Sequence, residues 1–313
     1  MKIKRKLLYS VVVLGIAIII AAAFASCKKA DTTSARGVEN NSAAEISISE
    51  NSEVSIPILP ERAEGKSSSE SEPEHSESET PSSESKTEQP KAASAAKFES
   101  GSLKMNDKVS MNYWLFTPEN AAEGMPLIVY LHGGSGKGDD IALLTENGFC
   151  EGVYNGEFDD VPAYILFPQL SSSYKGWSDA KRYVKQMIEF TVSKYGIDEN
   201  RISLTGHSMG GTGTFTVAAA YPELFFRIAP MSGSIACTDE NISALKNIPI
   251  WAFVGSEDKL VLPESSEKFI SALNENGGSG KITILDGATH FDVPGLTYFD
   301  RETDVIGWLL GNS

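Results

Sequence analysis

The stretch RISLTGHSMGGTGTFTVAAAYP, residues 201–222, decides the fold of this chain. It begins as a short apolar strand, passes through the glycine-flanked serine of GHSMGG and continues in small residues that suit a helix. A G-x-S-x-G pattern is weak evidence by itself, but between a strand and a helix it is typical of a sharp turn that exposes a nucleophilic serine. We therefore expect Ser208 at such a turn; a serine that only caps the helix is the alternative.

Short apolar runs on both sides of this stretch predict the rest of the sheet. PLIVYLH (126–132), PAYILFPQ (162–169), PIWAFVG (249–255) and KITILDG (281–287), like RISLTG, suit strands buried on both faces of a parallel sheet. KVSMNYWLF (108–116) alternates like an exposed or edge strand. Helices are predicted at residues 178–195, 209–220, 263–274 and 300–310. Strands alternating with helices predict one doubly wound, mostly parallel α/β domain over residues 98–313.

A serine hydroxyl needs a base to take its proton, and the chain offers few candidates. Of its four histidines, His75 lies in a polar N-terminal stretch, His132 precedes a glycine loop, and His207 adjoins the serine too closely to reach around to its hydroxyl. His290, in the loop after the last predicted strand, is therefore expected to be the base. The alternative is a histidine that is merely exposed in a loop.

An acid should hold that base in one tautomer and stabilise its cation. Asp258 follows the predicted strand PIWAFVG and gives the chain order Ser, Asp, His that α/β-hydrolases share. Glu257 is its nearest rival, while Asp286 and Asp292 lie close to His290 in the sequence.

Backbone N–H groups should stabilise the negative charge that develops during acyl transfer. We expect one from Met209 and one from Gly134, with Gly133 as the alternate, in the loop that follows PLIVYLH. The pentapeptide GGSGK of that loop, residues 133–137, recurs at residues 277–281. Neither copy fits the phosphate-binding pattern G-x-x-x-x-G-K-[ST], and the second copy is expected to be a flexible connector.

Charge and composition exclude several classes of function. A net charge of −15 gives no attraction to nucleic acid. The dispersed histidines show no spacing for a metal, and no cofactor is expected. Apart from Cys27, the chain has two cysteines, Cys150 and Cys237. Two are too few for a disulfide framework, and whether they pair is left open.

The N-terminus has the pattern of an export signal. Basic residues 2–6, an apolar stretch and small residues before Cys27 suit a signal peptide, residues 1–27, with a lipobox whose cysteine is lipidated. Cleavage after Ala25, which would release a secreted protein, and retention of residues 7–26 as a spanning helix are the alternatives. Each places the remainder outside the cytoplasm. Residues 28–97 lack aromatic side chains and are rich in Ser and Glu, which predicts a disordered acidic tether.

The motifs YLHGGSGKGDD, FPQLSSSYKGW, RISLTGHSMGG, VGSEDKLVLP and GATH resemble, in order and spacing, those of secreted α/β-hydrolases described as predicted peptidases, phospholipase/carboxylesterase-like proteins and feruloyl-type esterases. The likeness extends from Phe98 to the C-terminus. It implies that Ser208 is the nucleophile, Asp258 the orienting acid and His290 the base, and that the HGG loop supplies an oxyanion donor.

The resemblance also implies that Gln169 and Trp177 lie near the acyl pocket; a core role is the alternative for Trp177. Such relatives often carry an acid–arginine pair after the glycine loop, and SGKGDD has no arginine to make those contacts.

Few residues separate IAPMSGS from IPIWAFVG, where lipases with lids carry large insertions, so an open site is expected. The sequence thus predicts a serine esterase that works through an acyl-enzyme on short-chain acyl or hydroxycinnamoyl esters of polymeric carbohydrate. A serine peptidase on the same fold and a non-catalytic surface-binding module are the alternatives.

Overall fold

A computed structural model of the chain describes residues 96–146 and 148–312. The expected signal peptide with Cys27, and the expected tether as far as residue 95, lie outside the described residues. Within the described part, no helix is both long and apolar enough to cross a bilayer. The first strand begins at Lys97, one residue before the expected domain boundary.

Eight strands form one sheet in the order β1-β2-β4-β3-β5-β6-β7-β8. They are β1 (Lys97–Lys104), β2 (Ser110–Thr117), β3 (Leu127–Leu131), β4 (Tyr164–Pro168), β5 (Ile202–His207), β6 (Arg227–Met231), β7 (Ile250–Gly255) and β8 (Gly280–Leu285). β2 pairs antiparallel with β1 and β4, and all other neighbours are parallel. The predicted doubly wound α/β fold is confirmed.

Helices follow most strands, as the sequence pattern indicates. In the described residues they are α1 (Gly148–Tyr154), α2 (Trp177–Tyr195), α3 (Met209–Ala220), α4 (Asp239–Leu245), α5 (Pro263–Glu275), α6 (Val293–Tyr298) and α7 (Val305–Leu309). Short 3-10 turns lie at Gly134–Gly136, Ile141–Glu146, Glu199–Arg201 and Pro222–Leu224. Helices α2, α3 and α5 occupy the predicted positions to within one residue.

Two hydrophobic layers cover the two faces of the sheet. Helices α2 to α5 contribute to one layer, in which Trp177 and Phe215 are fully buried. Helices α1, α6 and α7 contribute to the other, where Phe149 stacks on Tyr298 at a ring distance of 4.6 Å. Because both faces are covered, the loops at the carboxyl ends of the parallel strands are left to carry polar side chains.

Two predictions about the C-terminal part were wrong. β8 was expected to be buried on both faces, but among the described residues it is an edge strand with β7 as its only strand partner, and Ile284 is 40% exposed. The helix expected at residues 300–310 is confined to α7. Asp304 takes a left-handed φ of 45° there, and its carboxylate accepts the N–H of Gly307 at 3.0 Å, so the helix begins only after it. Strands β1 and β6 and helices α1, α4 and α6 were not predicted. Residues 108–116 were expected to form an exposed or edge strand, but β2 is an inner strand because β1 pairs with its outer side.

Candidate active site

Ser208 lies at the sharp turn between β5 and α3. Its φ is 60°, which is unfavourable for a residue with a Cβ and typical of a nucleophile elbow. Its N–H donates to the carbonyl of Met231 at 2.9 Å, and its side chain makes no capping bond to the helix. The helix-cap alternative is therefore wrong.

Glycines let the elbow pack backbone against backbone. A Cβ on Gly210 would lie 1.8 Å from the carbonyl oxygen of Leu131, and one on Gly206 would lie 2.4 Å from the same atom. A Cβ on Gly211 would lie 2.2 Å from the carbonyl oxygen of Met231. These contacts hold Ser208 against the ends of β3 and β6, and they explain why small residues surround it in the sequence.

The residues expected to form a triad meet at the carboxyl edge of the sheet. His290 Nε2 lies 2.8 Å from Ser208 Oγ, and His290 Nδ1 lies 2.8 Å from Asp258 Oδ2. Asp258 and His290 are 1% and 3% exposed. With the Nδ1–H donating to the carboxylate, Nε2 is left as the acceptor for the serine hydroxyl, which is the tautomer a general base needs.

Asp258 is held as a carboxylate. Burial alone would raise its pKa, but the hydrogen bond to His290 and those from the N–H groups of Leu260 and Val261, at 2.9 and 2.8 Å, lower the pKa to about 2. The rival Glu257 is exposed and pairs with Lys259 at 2.9 Å. Of the acids near His290 in sequence, Asp292 accepts hydrogen bonds from Thr289.

His207 supports the loop that carries His290. Its Nε2–H donates to the backbone carbonyl of His290 at 2.8 Å, and the two rings lie 4.7 Å apart. Burial, with a contribution from His290, lowers the pKa of His207 to about 3, so the ring is neutral. This contact was not predicted from the sequence, because it is made to a backbone atom 83 residues away.

The loop after β3 lies directly beside Ser208. Leu131, at the end of β3, pairs with Gly206 at the end of β5. A Cβ on Gly133 would lie 3.5 Å from that of Ser208. Gly134 begins a 3-10 turn, and no atom lies within 4 Å of where its Cβ would be. Met209 is the first residue of α3, where backbone N–H groups have no partner inside the helix.

His132 fixes the shape of this loop. Its Nδ1–H donates to the carbonyl of Gly133 at 2.6 Å, and its Nε2 accepts the N–H of Leu170 at 2.9 Å. Burial lowers the pKa of His132 to about 4, which keeps the ring neutral. The Gly133 carbonyl and the Gly134 N–H belong to one planar peptide group, so the histidine also fixes the direction of that N–H.

Gln169 and Trp177 lie behind the same loop. Gln169 is 2% exposed, and its Nε2 donates to the carbonyls of Gly136 and Asp140 at 3.3 and 2.6 Å. Trp177 is 1% exposed, and its Nε1–H donates to the carbonyl of His132 at 3.0 Å. Their contacts show that they support the loop, and a direct contact with substrate stays a prediction.

The second copy of GGSGK is a helix-to-strand connector, as predicted. Gly277 lies just after the end of α5 with a φ of 82°, and the side chain of Asn274 bonds both the N–H and the carbonyl of Gly280 as the chain enters β8. In the described residues, Cys150 and Cys237 are free thiols, and no cluster of His, Cys, Asp and Glu could hold a metal ion.

Residues 102–278 match the family described as "Putative esterase". The chain belongs to this esterase family. It is an esterase-type α/β-hydrolase, as the motifs implied. Acetylxylan esterase A of Aspergillus ficuum is 30% identical over 231 residues, which cover 67% of this chain and 73% of that protein.

Two further relatives share less of their length with the chain. Feruloyl esterase B of Talaromyces stipitatus is 30% identical over 131 residues, which cover 40% of this chain and 36% of that protein. A crystal structure of a thermostable esterase is 29% identical with a TM-score of 0.60, over 68% of this chain and 62% of that one. The chain thus spans about a third of the feruloyl esterase that it matches.

Proposed function

We propose that this esterase works through an acyl-enzyme formed on Ser208. The observation that supports this is the unbroken hydrogen-bonded series from Ser208 Oγ through both nitrogens of His290 to a buried carboxylate, Asp258, with 2.8 Å at each step. Burying the carboxylate of Asp258 and holding Ser208 at a positive φ both cost folding free energy. Groups of this kind cluster at functional sites.

In the proposed first half-reaction, Ser208 Oγ attacks the ester carbonyl carbon while His290 Nε2 takes the hydroxyl proton. The carbonyl oxygen becomes an oxyanion that the N–H groups of Met209 and Gly134 stabilise. As the intermediate collapses, the carbon–alcohol oxygen bond breaks, and His290 gives its proton to the departing alcohol. Asp258 stabilises the imidazolium while it exists.

The second half-reaction repeats these steps with water. His290 takes a proton from the water, whose oxygen attacks the acyl carbon of the ester on Ser208. The proton then returns to Ser208 Oγ as the acid is released. No other group among the described residues is needed for either half-reaction.

The proposed substrates are short-chain acyl or hydroxycinnamoyl esters of carbohydrate. Two relatives carry the names acetylxylan esterase and feruloyl esterase, which supports this class. The connection between β6 and β7 supports it too, since α4 is the only helix in that connection and leaves no large lid over the site. An open site suits an ester attached to a bulky polymer.

We further propose that the domain acts outside the cytoplasm, attached to the membrane by residues 1–27 through lipidated Cys27 and held away from it by a tether over residues 28–97. The supporting observations are those of the sequence alone. The same acidic chain is not expected to bind nucleic acid.

The test is covalent labelling combined with a substrate panel. A fluorophosphonate probe should add one label to the protein, detected by intact mass, and Ser208→Ala should remove it. The unlabelled protein should cleave p-nitrophenyl acetate and acetylated or feruloylated oligosaccharides, and it should leave aminoacyl amides uncleaved. Labelling that persists in Ser208→Ala would rule out this nucleophile, and preference for the amides would make the enzyme a peptidase.

A further inference from the structure

An open groove of about 500 Å³ lies beside the loop that carries the base. It is bounded by the residues after β8, including Asp286, and by the first turn of α6, including Gly295 and Leu296. Phe291 and Asp292, which directly follow His290, also line it. The groove therefore shares one continuous segment of chain with the base.

The groove exposes apolar side chains that the core does not use. Phe291 is 57% exposed and Leu296 is 47% exposed, and they belong to the small set of large apolar side chains that face solvent in the described residues. On the buried side of the same helix, Val293 and Tyr298 fill the core. An apolar pair kept at the surface and edged by polar residues is typical of a binding site.

The position of Phe291 indicates which part of an ester would reach the groove. Its ring centroid lies 5.3 Å from that of His290, with the rings nearly perpendicular at 88°. In the proposed reaction, His290 delivers a proton to the departing alcohol oxygen. The alcohol part of the ester must therefore lie on the His290 side of the site, whereas the acyl oxygen faces the opposite loop.

The groove combines an aromatic face with carboxylates, which suits a sugar ring. The C–H groups on one face of a pyranose carry partial positive charge and can pack on the electron-rich face of Phe291. Carboxylate oxygens accept hydrogen bonds from sugar hydroxyls. Asp286 makes no hydrogen bond or ion pair with any described residue, while Asp292 already accepts from Thr289 through Oδ2.

Space and charge narrow the choice of ligand further. A Cβ on Gly287 or Gly295 would meet no atom within 4 Å, so both glycines leave the floor of the groove open. Two carboxylates at its edge, on a chain of net charge −15, oppose an alcohol that is itself an anion. A neutral sugar fits these conditions, and a uronic acid does not.

We propose that this groove is a subsite for the neutral sugar ring of the ester's alcohol part, with Phe291 as its stacking platform and Asp286 as a hydroxyl acceptor. This inference rests on the proposed function, because it takes the alcohol to leave from the His290 side. It adds the class of alcohol and the residues that select it.

The test compares two substrates with the full chain. The quantity measured is the ratio of kcat/KM for an acetylated neutral xylo-oligosaccharide to kcat/KM for p-nitrophenyl acetate, whose leaving group carries no sugar. In Phe291→Ala this ratio should fall about tenfold, mainly through KM for the oligosaccharide. In Gly295→Phe, which adds a ring at a position where a Cβ would meet no atom within 4 Å, it should fall at least as far.

Matched controls use sites far from the groove. Phe226 is another exposed phenylalanine, and it directly precedes β6 at the amino end of that strand. Phe226→Ala should keep the wild-type ratio, as should Ser271→Phe on an exposed part of α5. Thermal unfolding of all four variants checks that they are folded. An equal loss on both substrates in Phe291→Ala would overturn the proposal, because the residue would then only support His290.

A binding measurement separates this proposal from the proposed reaction. In the Ser208→Ala protein, calorimetry should detect binding of the deacetylated xylo-oligosaccharide, and Phe291→Ala in that background should abolish it. Binding without catalysis in wild type would leave the subsite standing while the proposed function fails. Catalysis without binding, or a Phe291→Ala effect confined to the length of the acyl chain, would overturn the subsite and leave the esterase.

Discussion

The two sides of the candidate active site are each held by a histidine that is not the base, but they are held differently. On the oxyanion side, His132 uses both ring nitrogens, and its partners are backbone groups of Gly133 and Leu170. On the side of the proposed base, His207 uses one nitrogen to hold the His290 carbonyl, and the ring of His290 is fixed by a charged partner, Asp258.

Because the two sides are held differently, substitutions on them should lower kcat by different amounts. The oxyanion side is held by several neutral hydrogen bonds, so the loss of one of them should lower kcat only in part. The base side depends on one proton acceptor and one carboxylate, so loss of either should nearly abolish turnover.

The largest effect is expected from His290→Ala. It removes the proposed acceptor of the Ser208 proton, so kcat for p-nitrophenyl acetate should fall by about 10⁵- to 10⁶-fold. Ser208→Ala should cost about as much, and the double variant should be no slower than either single one. Multiplying losses in the double variant would show that the two residues do not act as a unit.

Asp258→Asn should follow, with a loss of about 10⁴-fold in kcat. The amide can donate a hydrogen bond to His290 Nδ1, which favours the wrong tautomer and leaves a proton on Nε2. The adjacent Glu257→Gln is the matched control, since the exposed side chain of Glu257 pairs with Lys259, and it should keep wild-type kcat. A large loss in Glu257→Gln would shift the assignment of the acid.

His132→Phe tests the oxyanion side. It keeps an aromatic ring against Trp177, from which the His132 ring lies 4.9 Å away, but releases the Gly133 carbonyl. We expect kcat to fall by about 10- to 100-fold with a smaller change in KM, because an oxyanion donor acts mainly in the transition state. Probe labelling of Ser208 should still occur.

His207→Phe is the comparison on the base side, and it should lower kcat less than His132→Phe does, because one hydrogen bond is lost and Asp258 still holds the ring of His290. If His207→Phe lowers kcat more than His132→Phe does, the hydrogen bond from His207 to the His290 carbonyl contributes more to catalysis than the contacts of His132.

Both supporting histidines should make the fold sensitive to acid. Each is neutral in the folded chain, with a pKa of about 4 for His132 and about 3 for His207, against an ordinary 6.5 in the unfolded chain. The unfolded state therefore binds more protons as the pH falls below 6.5, and stability is lost on the way down to the folded pKa values.

The free energy of unfolding should accordingly drop by about 2 kcal/mol per histidine between pH 7 and pH 5, in urea titrations at the two values. His132→Phe and His207→Phe should each flatten this dependence. An undiminished slope in both variants would mean that these rings do not stay neutral in the folded state.

The smallest effects come from the repeated pentapeptide GGSGK. Gly277→Ala places a side chain at a left-handed φ, so it should cost about 1 kcal/mol of stability and leave kcat unchanged. Gly133→Ala has no such strain, but its methyl group would meet the His207 carbonyl at 3.3 Å, so it should lower kcat with little loss of stability. The reverse pattern would contradict the two assigned roles.

Much of this arrangement was visible in the sequence because it depends on local pattern. A strand, a glycine-flanked serine and a helix of small residues predicted the elbow, and chain order with elimination among four histidines singled out Asp258 and His290. These residues meet in the structure because the strands before them end at the same edge of the sheet.

What the sequence did not reveal depends on contacts between side chains and backbone atoms that are far apart in the sequence. The supporting roles of His132 and His207 require the N–H of Leu170 and the carbonyl of His290, and no spacing rule indicates either. The exposure of β8 follows from its place at the edge of the sheet, which the order of strands along the chain does not state.

The glycines around Ser208 set a limit on how this enzyme can change. Gly206, Gly210 and Gly211 touch backbone rather than side chains, so no compensating substitution nearby can make room for a larger residue. Random mutagenesis should therefore return these positions unaltered in every active clone. New specificities, in the laboratory or in evolution, must then arise in the loops that face the substrate, while the backbone around Ser208 stays unchanged.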